Sequence, residues 1–143
     1  MCTKLGANFS PKNMKSYIDH PITQQPIYLI WDAAHMMKLV RNCFGEKQKI
    51  YNGKGECIDW NFIRMLHEKQ KDQGLHLATK LTNRHIHYQN EKMRVKLAVQ
   101  VLSESVSSAL KYLYNTNPEY NNALATAEFC QYFNRAFDIL NSR

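Results

Sequence analysis

Lys80 and Arg84 are followed, after a short polar stretch, by Lys92, Arg94 and Lys96, where a strongly amphipathic helix is predicted to begin. Cations beside a helix N-terminus favour anions, because free N–H groups and the macrodipole add to their field. A solvated basic surface is the competing reading of the same residues. Near the other end, Phe137 precedes Asp138. An aromatic ring offers a stacking face to a purine. A carboxylate accepts from the N1–H and N2–H2 edge of guanine, a donor pair that adenine lacks. A core phenylalanine next to a surface aspartate accounts for the pair equally well. A third candidate is Asp32, in the stretch WDAAHMMKLVRNCFG from Trp31 to Gly45. There it stands at the C-terminal tip of an expected strand and faces the start of a helix, where open sheets present their chemistry. The same position suits a plain helix cap.

The elements that must hold these residues follow from periodicity. Residues 1–25 are polar and interrupted by Pro11 and Pro21, and they read as a leader into a buried strand at 27–31. A first helix is predicted over 33–44, with Gly45 at its C-cap. The Asn52-Gly53 turn signal makes 46–57 a small hairpin or an ordered loop. Asp59 caps a second helix at 60–73, closed by Gly74, with Trp60, Ile63, Leu66 and His67 inward. Residues 75–88 carry mixed signals. Met93, Leu97, Ala98, Val101, Leu102, Val106, Ala109, Leu110 and Leu113 then form one stripe, which predicts a single long helix over 90–114. After a loop containing Pro118, Thr126 caps a last helix at 127–140 with Phe129, Phe133, Ala136, Phe137 and Leu140 on one face. The fold class is therefore mainly α, preceded by a short strand. One strand leaves its backbone groups unpaired, so its sheet partners are expected outside these residues.

Composition narrows the function further. The chain has 143 residues and a formal net charge of +7, which suits an anionic partner such as nucleic acid or nucleotide phosphate. This length supports one compact domain, or one domain and a fragment of another, without a disulfide or metal. The four cysteines, Cys2, Cys43, Cys57 and Cys130, form no CxxC pair, so free thiols are expected rather than zinc. His85 and His87 have no Cys or carboxylate at ligand spacing. No apolar run approaches the ~18 residues of a membrane span, and no secretory signal is legible, so an intracellular setting is expected. Gly53-Lys54-Gly55 lacks Walker A spacing, and GxGxxG, GxSxG and HExxH are absent from the sequence.

An ordered set of blocks resembles P-element-type transposases and their THAP-domain relatives. His20-Pro21 is followed by Asp32, His35, Lys38, Leu39, Arg41 and Asn42 in the pattern D-x-x-H-x-x-K-L-x-R-N. The likeness continues through Ile58-Asp59-Trp60, then residues 73–78, Lys80-Leu81-Thr82 with His85-Ile86, and residues 92–98. Gln100, Leu102-Ser103, Ser105-Val106, Asn134 and residues 137–143 complete it. It runs over nearly all of the chain. Thr79 departs from the Asn that often precedes Lys-Leu-Thr, and Arg94 replaces a frequent Lys with its charge kept.

The resemblance implies a helical GTP-binding domain inserted into an RNase H-like catalytic fold that holds metal ions with three carboxylates. By that likeness, residues 1–34 are the end of an RNase H-like segment and 35–143 the insertion domain. Asp32 would be the second catalytic carboxylate and a magnesium ligand in an intact protein, with the other two outside the chain. GTP would be held without being consumed as fuel and would help assemble the complex with transposon DNA. Lys80 and Arg94 would meet its phosphates, Val95 and Ser103 would line the site, Phe137 would stack on guanine and Asp138 would read its edge. The same likeness implies a nuclear protein, inactive as a fragment, with an oligomer on DNA as a further expectation and no membrane role. Two other readings stay open: a degenerate or domesticated helical module that binds DNA or protein without GTP, and a small metal-dependent nuclease centred on Asp32.

Overall fold

The computed structural model describes residues 4, 6–8, 10, 12–73 and 79–142, and it divides at Asp32 into two units. In the first unit, β1 (Tyr17–Asp19) pairs antiparallel with β2 (Pro26–Tyr28) in the register Tyr17 to Tyr28 and Asp19 to Pro26. The turn between them is held by His20, whose Nδ1 accepts from the backbone N–H of Thr23 at 3.1 Å. Gln24 closes the turn at φ +56°. This corrects the expectations for the strand, whose Ile27, Tyr28, Ile30 and Trp31 are exposed instead of buried. The strand has its partner within residues 1–25, because Tyr17 and Ile18 form a short apolar run amid polar neighbours. The pairing also ends at Tyr28, so Asp32 stands beyond the strand and directly before the first helix.

The second unit is built mainly of helices. Its first, α1 (Ala33–Lys47), runs through Gly45 instead of ending there. Gly45 is needed for close approach: a Cβ added to it would lie 2.6 Å from Cζ of Tyr88. The helix ends at Gln48, which adopts φ +63°. Tyr88 is 3% exposed and packs against Trp60 at 5.5 Å, so its ring has little room to yield. Gly45→Ala is therefore expected to cost about 2 kcal/mol of stability, the overlap outweighing the better helix propensity of alanine. Urea denaturation of the two chains checks this.

The expected hairpin is present. Strands β3 (Lys49–Tyr51) and β4 (Cys57–Asp59) pair antiparallel, Ile50 opposite Ile58. Asn52 Oδ1 accepts from the N–H groups of Lys54 and Glu56, both at 2.9 Å. Next comes α2 (Asn61–Gln73), whose first N–H donates to Asp59 Oδ1 at 2.8 Å, so that Asp59 satisfies an otherwise free N–H at the helix start. Trp60, Ile63 and Leu66 are fully buried beneath it. The predicted closure at Gly74 lies outside the described residues.

The single long helix is corrected to several elements. A short α3 (Asn83–Ile86) and a 3-10 turn at Tyr88–Glu91 precede α4 (Val95–Val101) and α5 (Glu104–Thr116). Met93, assigned to the stripe, is 74% exposed. The break falls at Leu102 (φ −90°, ψ 56°) and Ser103, whose Oγ accepts from Val106 N–H at 3.3 Å and so caps α5. Leu102 is nevertheless fully buried, so the apolar stripe continues across the break.

The last helix, α6 (Leu124–Asn141), begins before Thr126. Thr126 is a buried helical residue whose Oγ1 accepts from Asp59 N–H at 3.0 Å, tying the helix to β4. Phe129, Phe133 and Phe137 are half-buried against the core, whereas Ala136 and Leu140 face solvent. Ala127 and Cys130 take the innermost positions. Edge-on aromatic contacts link Tyr88, Trp60, Phe44, Phe129 and Phe133 at 4.8–5.5 Å, joining the 3-10 turn, the residue before α2, α1 and α6 in one core.

Candidate anion-binding site

Lys80, Arg84, Arg94 and Lys96 converge on one cavity of about 360 Å³, although they come from the segment before α3, from α3 and from the start of α4. His85, Leu97 and Gln100 complete its inner wall. The nearest counter-charge is Glu91. Its Oε1 accepts from Arg84 Nε at 2.8 Å, and its Oε2 meets Arg94 Nε at 2.5 Å. Four cations against one carboxylate leave a surplus of positive charge at the rim, with both arginine planes aligned by one acid. Planar guanidiniums held in this way suit phosphate oxygens.

A smaller cavity of about 150 Å³ adjoins the first, sharing Lys80 and Gln100 and adding Val99, Ser103 and Ser105. The two serine hydroxyls are 3.0 Å apart. From here a hydrogen-bonded path leads to α6. Glu104 N–H donates to Asn134 Oδ1 at 3.2 Å, and Asn134 Nδ2 donates to Asp138 Oδ2 at 2.8 Å. Asp138 thus keeps one carboxylate oxygen clear of that bond, on an exposed helix face.

The rim depends on a residue from another part of the chain. Arg41 of α1 is fully buried, yet its Nη2 donates to the backbone oxygens of Glu91 at 3.1 Å and Lys92 at 3.2 Å. Its Nε donates to Asn42 Oδ1 at 2.7 Å, and its guanidinium lies 5.1 Å from the Tyr88 ring centroid. Burial pushes its pKa below the usual arginine value, against the pull of Tyr88 and Glu91. Arg41 therefore holds the 3-10 turn from which the Glu91 carboxylate reaches both arginines.

Residues 34–143 match the family model described as "TNP-like, GTP-binding insertion domain". The chain belongs to this family. It is 32% identical over 147 residues to DNA transposase THAP9 of Homo sapiens, covering 100% of this chain and 16% of that protein. It is 30% identical over 142 residues to the Transposable element P transposase of Drosophila melanogaster, covering 98% of this chain and 19% of that one. The chain thus spans less than a fifth of either relative. Among solved structures it is similar to the Drosophila P element transposase strand transfer complex, with a TM-score of 0.79 and 29% identity, over 99% of this chain and 31% of that one. The resemblance read from the ordered blocks is to the family these matches identify.

Within this insertion-domain fold, the residues singled out from the sequence fall in three places. Lys80 and Arg94 line the same cavity, and Lys80 and Ser103 line its neighbour. Val95 is half-buried at the first position of α4, and Phe137 and Asp138 lie on α6; none of these three forms part of either cavity wall. Asp32 lies in the other unit. Among the described residues, no group of three His, Cys, Asp or Glu side chains is placed to hold a metal ion. A two-metal centre needs several such ligands, so Asp32 alone does not fit one. Gln100 and Arg41 carry no local signal as site residues, since Gln100 meets His85, and Arg41 the carbonyls of Glu91 and Lys92, only through contacts between distant segments. Among the described residues, no helix is long and apolar enough to cross a membrane.

Proposed function

We propose that this chain is the GTP-binding insertion region of a P-element-like DNA transposase. It holds GTP as a structural cofactor for assembly on transposon DNA in the nucleus and has no strand-transfer activity by itself. The observation that carries this reading is the cavity walled by Lys80, Arg84, Arg94 and Lys96 with one carboxylate between them. Triphosphate is the ligand part that such a wall accommodates best.

In this reading Lys80 and Arg94 meet phosphates, while Ser103 and Val95 flank the nucleotide. Phe137 stacks on the guanine, and Asp138 accepts from its N1–H and N2–H2 edge. The link from Glu104 through Asn134 to Asp138 supports these roles, because it places the α6 carboxylate next to the α5 N-terminus beside Ser103. The hairpin unit and Asp32 belong, in the same reading, to an RNase H-like fold whose other carboxylates and magnesium come with an intact protein. An oligomer on DNA belongs to that assembly.

Base recognition is tested by comparing GTP and ATP binding in Asp138→Asn and Phe137→Ala. Loss of the carboxylate acceptor is expected to reduce the preference for GTP at least tenfold, since two charge-assisted bonds to guanine are affected. Phe137→Ala is expected to weaken both nucleotides, because stacking does not distinguish purines. A GTP preference unchanged in Asp138→Asn removes the base-reading role.

A further inference from the structure

His85 is 2% exposed, and its ring contacts fix where its proton sits: Thr82 meets Nδ1 with both its backbone N–H and its hydroxyl, the latter at 3.0 Å and free to donate, while Gln100 meets Nε2. The backbone N–H of Thr82 is a donor only, and it reaches His85 Nδ1 at 2.9 Å. Nδ1 is therefore the acceptor of the neutral ring, and the proton lies on Nε2. Nε2 then donates to Gln100 Oε1 at 3.0 Å. Burial holds the ring below the ordinary histidine pKa, which favours this neutral form.

The consequence falls on Gln100. Reversing its amide would set NH2 against the Nε2–H donor, so the carbonyl oxygen is committed to His85. The Nε2H2 group is thereby directed away from the ring, and among the described residues no hydrogen bond is made to it. Gln100 lines both cavities and is half-buried, at the junction between the cationic wall and the pair Ser103 and Ser105.

We propose that Gln100 is a ligand-binding residue at this junction, donating to a phosphate oxygen of the bound nucleotide, with His85 as the positioning residue that sets its amide. The inference rests on the GTP-binding reading above. An amide NH2 can only donate, so it is matched by an acceptor lying beside Lys80 and Arg94, not by the donor edge of guanine. His85 acts through Gln100 and does not itself touch the ligand.

The test titrates the full chain with GTP and with guanosine, for the wild type, Gln100→Ala and Gln100→Glu. It also reads the protonation of the His85 ring nitrogens by ¹⁵N NMR in the ligand-free chain. Gln100→Ala is expected to weaken GTP about tenfold, as for a lost hydrogen bond to a charged group, with guanosine unchanged. Gln100→Glu is expected to weaken GTP further, since it places a carboxylate beside phosphate. The NMR spectrum is expected to show a proton on Nε2 and an accepting Nδ1. His85→Gln, whose amide can accept from Thr82 and donate to Gln100, is expected to retain most of the affinity that His85→Leu loses.

GTP affinity unchanged in Gln100→Ala, in a chain that binds GTP, overturns the role of Gln100 and leaves the functional reading standing. A proton on His85 Nδ1 overturns the positioning role regardless of nucleotide. Failure of the folded wild type to bind GTP overturns the functional reading and this inference together.

Discussion

Lys80→Glu is expected to weaken GTP binding roughly 100-fold, the largest effect of any single substitution in the site. Lys80 lies on the walls of both cavities, so its charge is felt wherever a triphosphate lies across them. No other cation of the cluster lines both cavities. Arg84 and Arg94 already share Glu91, which offsets part of their field. Reversing Lys80 removes one attraction and adds one repulsion, whereas Lys80→Ala removes only the first and is expected to cost about tenfold. The side chain is exposed, so neither change is expected to alter the melting temperature. Equilibrium titration beside a thermal melt separates the two effects. Equal affinities in the wild type and Lys80→Glu would place the phosphates elsewhere.

Arg41→Met is expected to act on stability first. Methionine roughly fills the space, but it supplies no donor to the Glu91 and Lys92 carbonyls that Arg41 now serves. Replacing a buried ion by an apolar residue is often neutral when its partners are replaced as well. Here the partners are backbone oxygens and remain behind. The expected loss is about 3 kcal/mol, or roughly 10 °C in melting temperature for a chain of this size. Arg41→Lys is expected to recover only part of it, because an ammonium lacks the planar fork that bridges two carbonyls and Asn42. GTP affinity is expected to fall as well, through loss of the turn that carries Glu91. Thermal denaturation followed by circular dichroism gives the first quantity, and a loss below about 1 kcal/mol would contradict the role assigned to Arg41.

The parts of this fold that were legible in the sequence are those with local causes. Asp59 as a cap, the Asn52 turn and the buried stripe from Leu97 to Leu113 each follow from spacing over a few residues. The break between α4 and α5 was not legible, because Leu102 continues the apolar stripe while its backbone leaves the helix. Ser103 was the available signal, a good N-cap residue standing inside an apparent helix. Gly45 looked like a stop signal because glycine usually ends a helix, but here its lack of Cβ admits the Tyr88 ring. The burial of Arg41 was not legible either, since nothing local announces carbonyls from a turn fifty residues on. Of the site, the cations were legible as a cluster, and the structure gathers Lys80, Arg84, Arg94 and Lys96 in one cavity but leaves Lys92 outside its wall. Its inner wall was not, because Gln100 and His85 meet only once α3 has folded against α4.

The most direct test is calorimetric titration of the unmodified chain with GTP and then with ATP, in magnesium. The account predicts saturable binding of GTP at one site and much weaker binding of ATP. A folded chain that takes up neither nucleotide, or both alike, while binding DNA in a salt-dependent manner, would contradict it and identify a helical DNA-contacting module that does not use GTP.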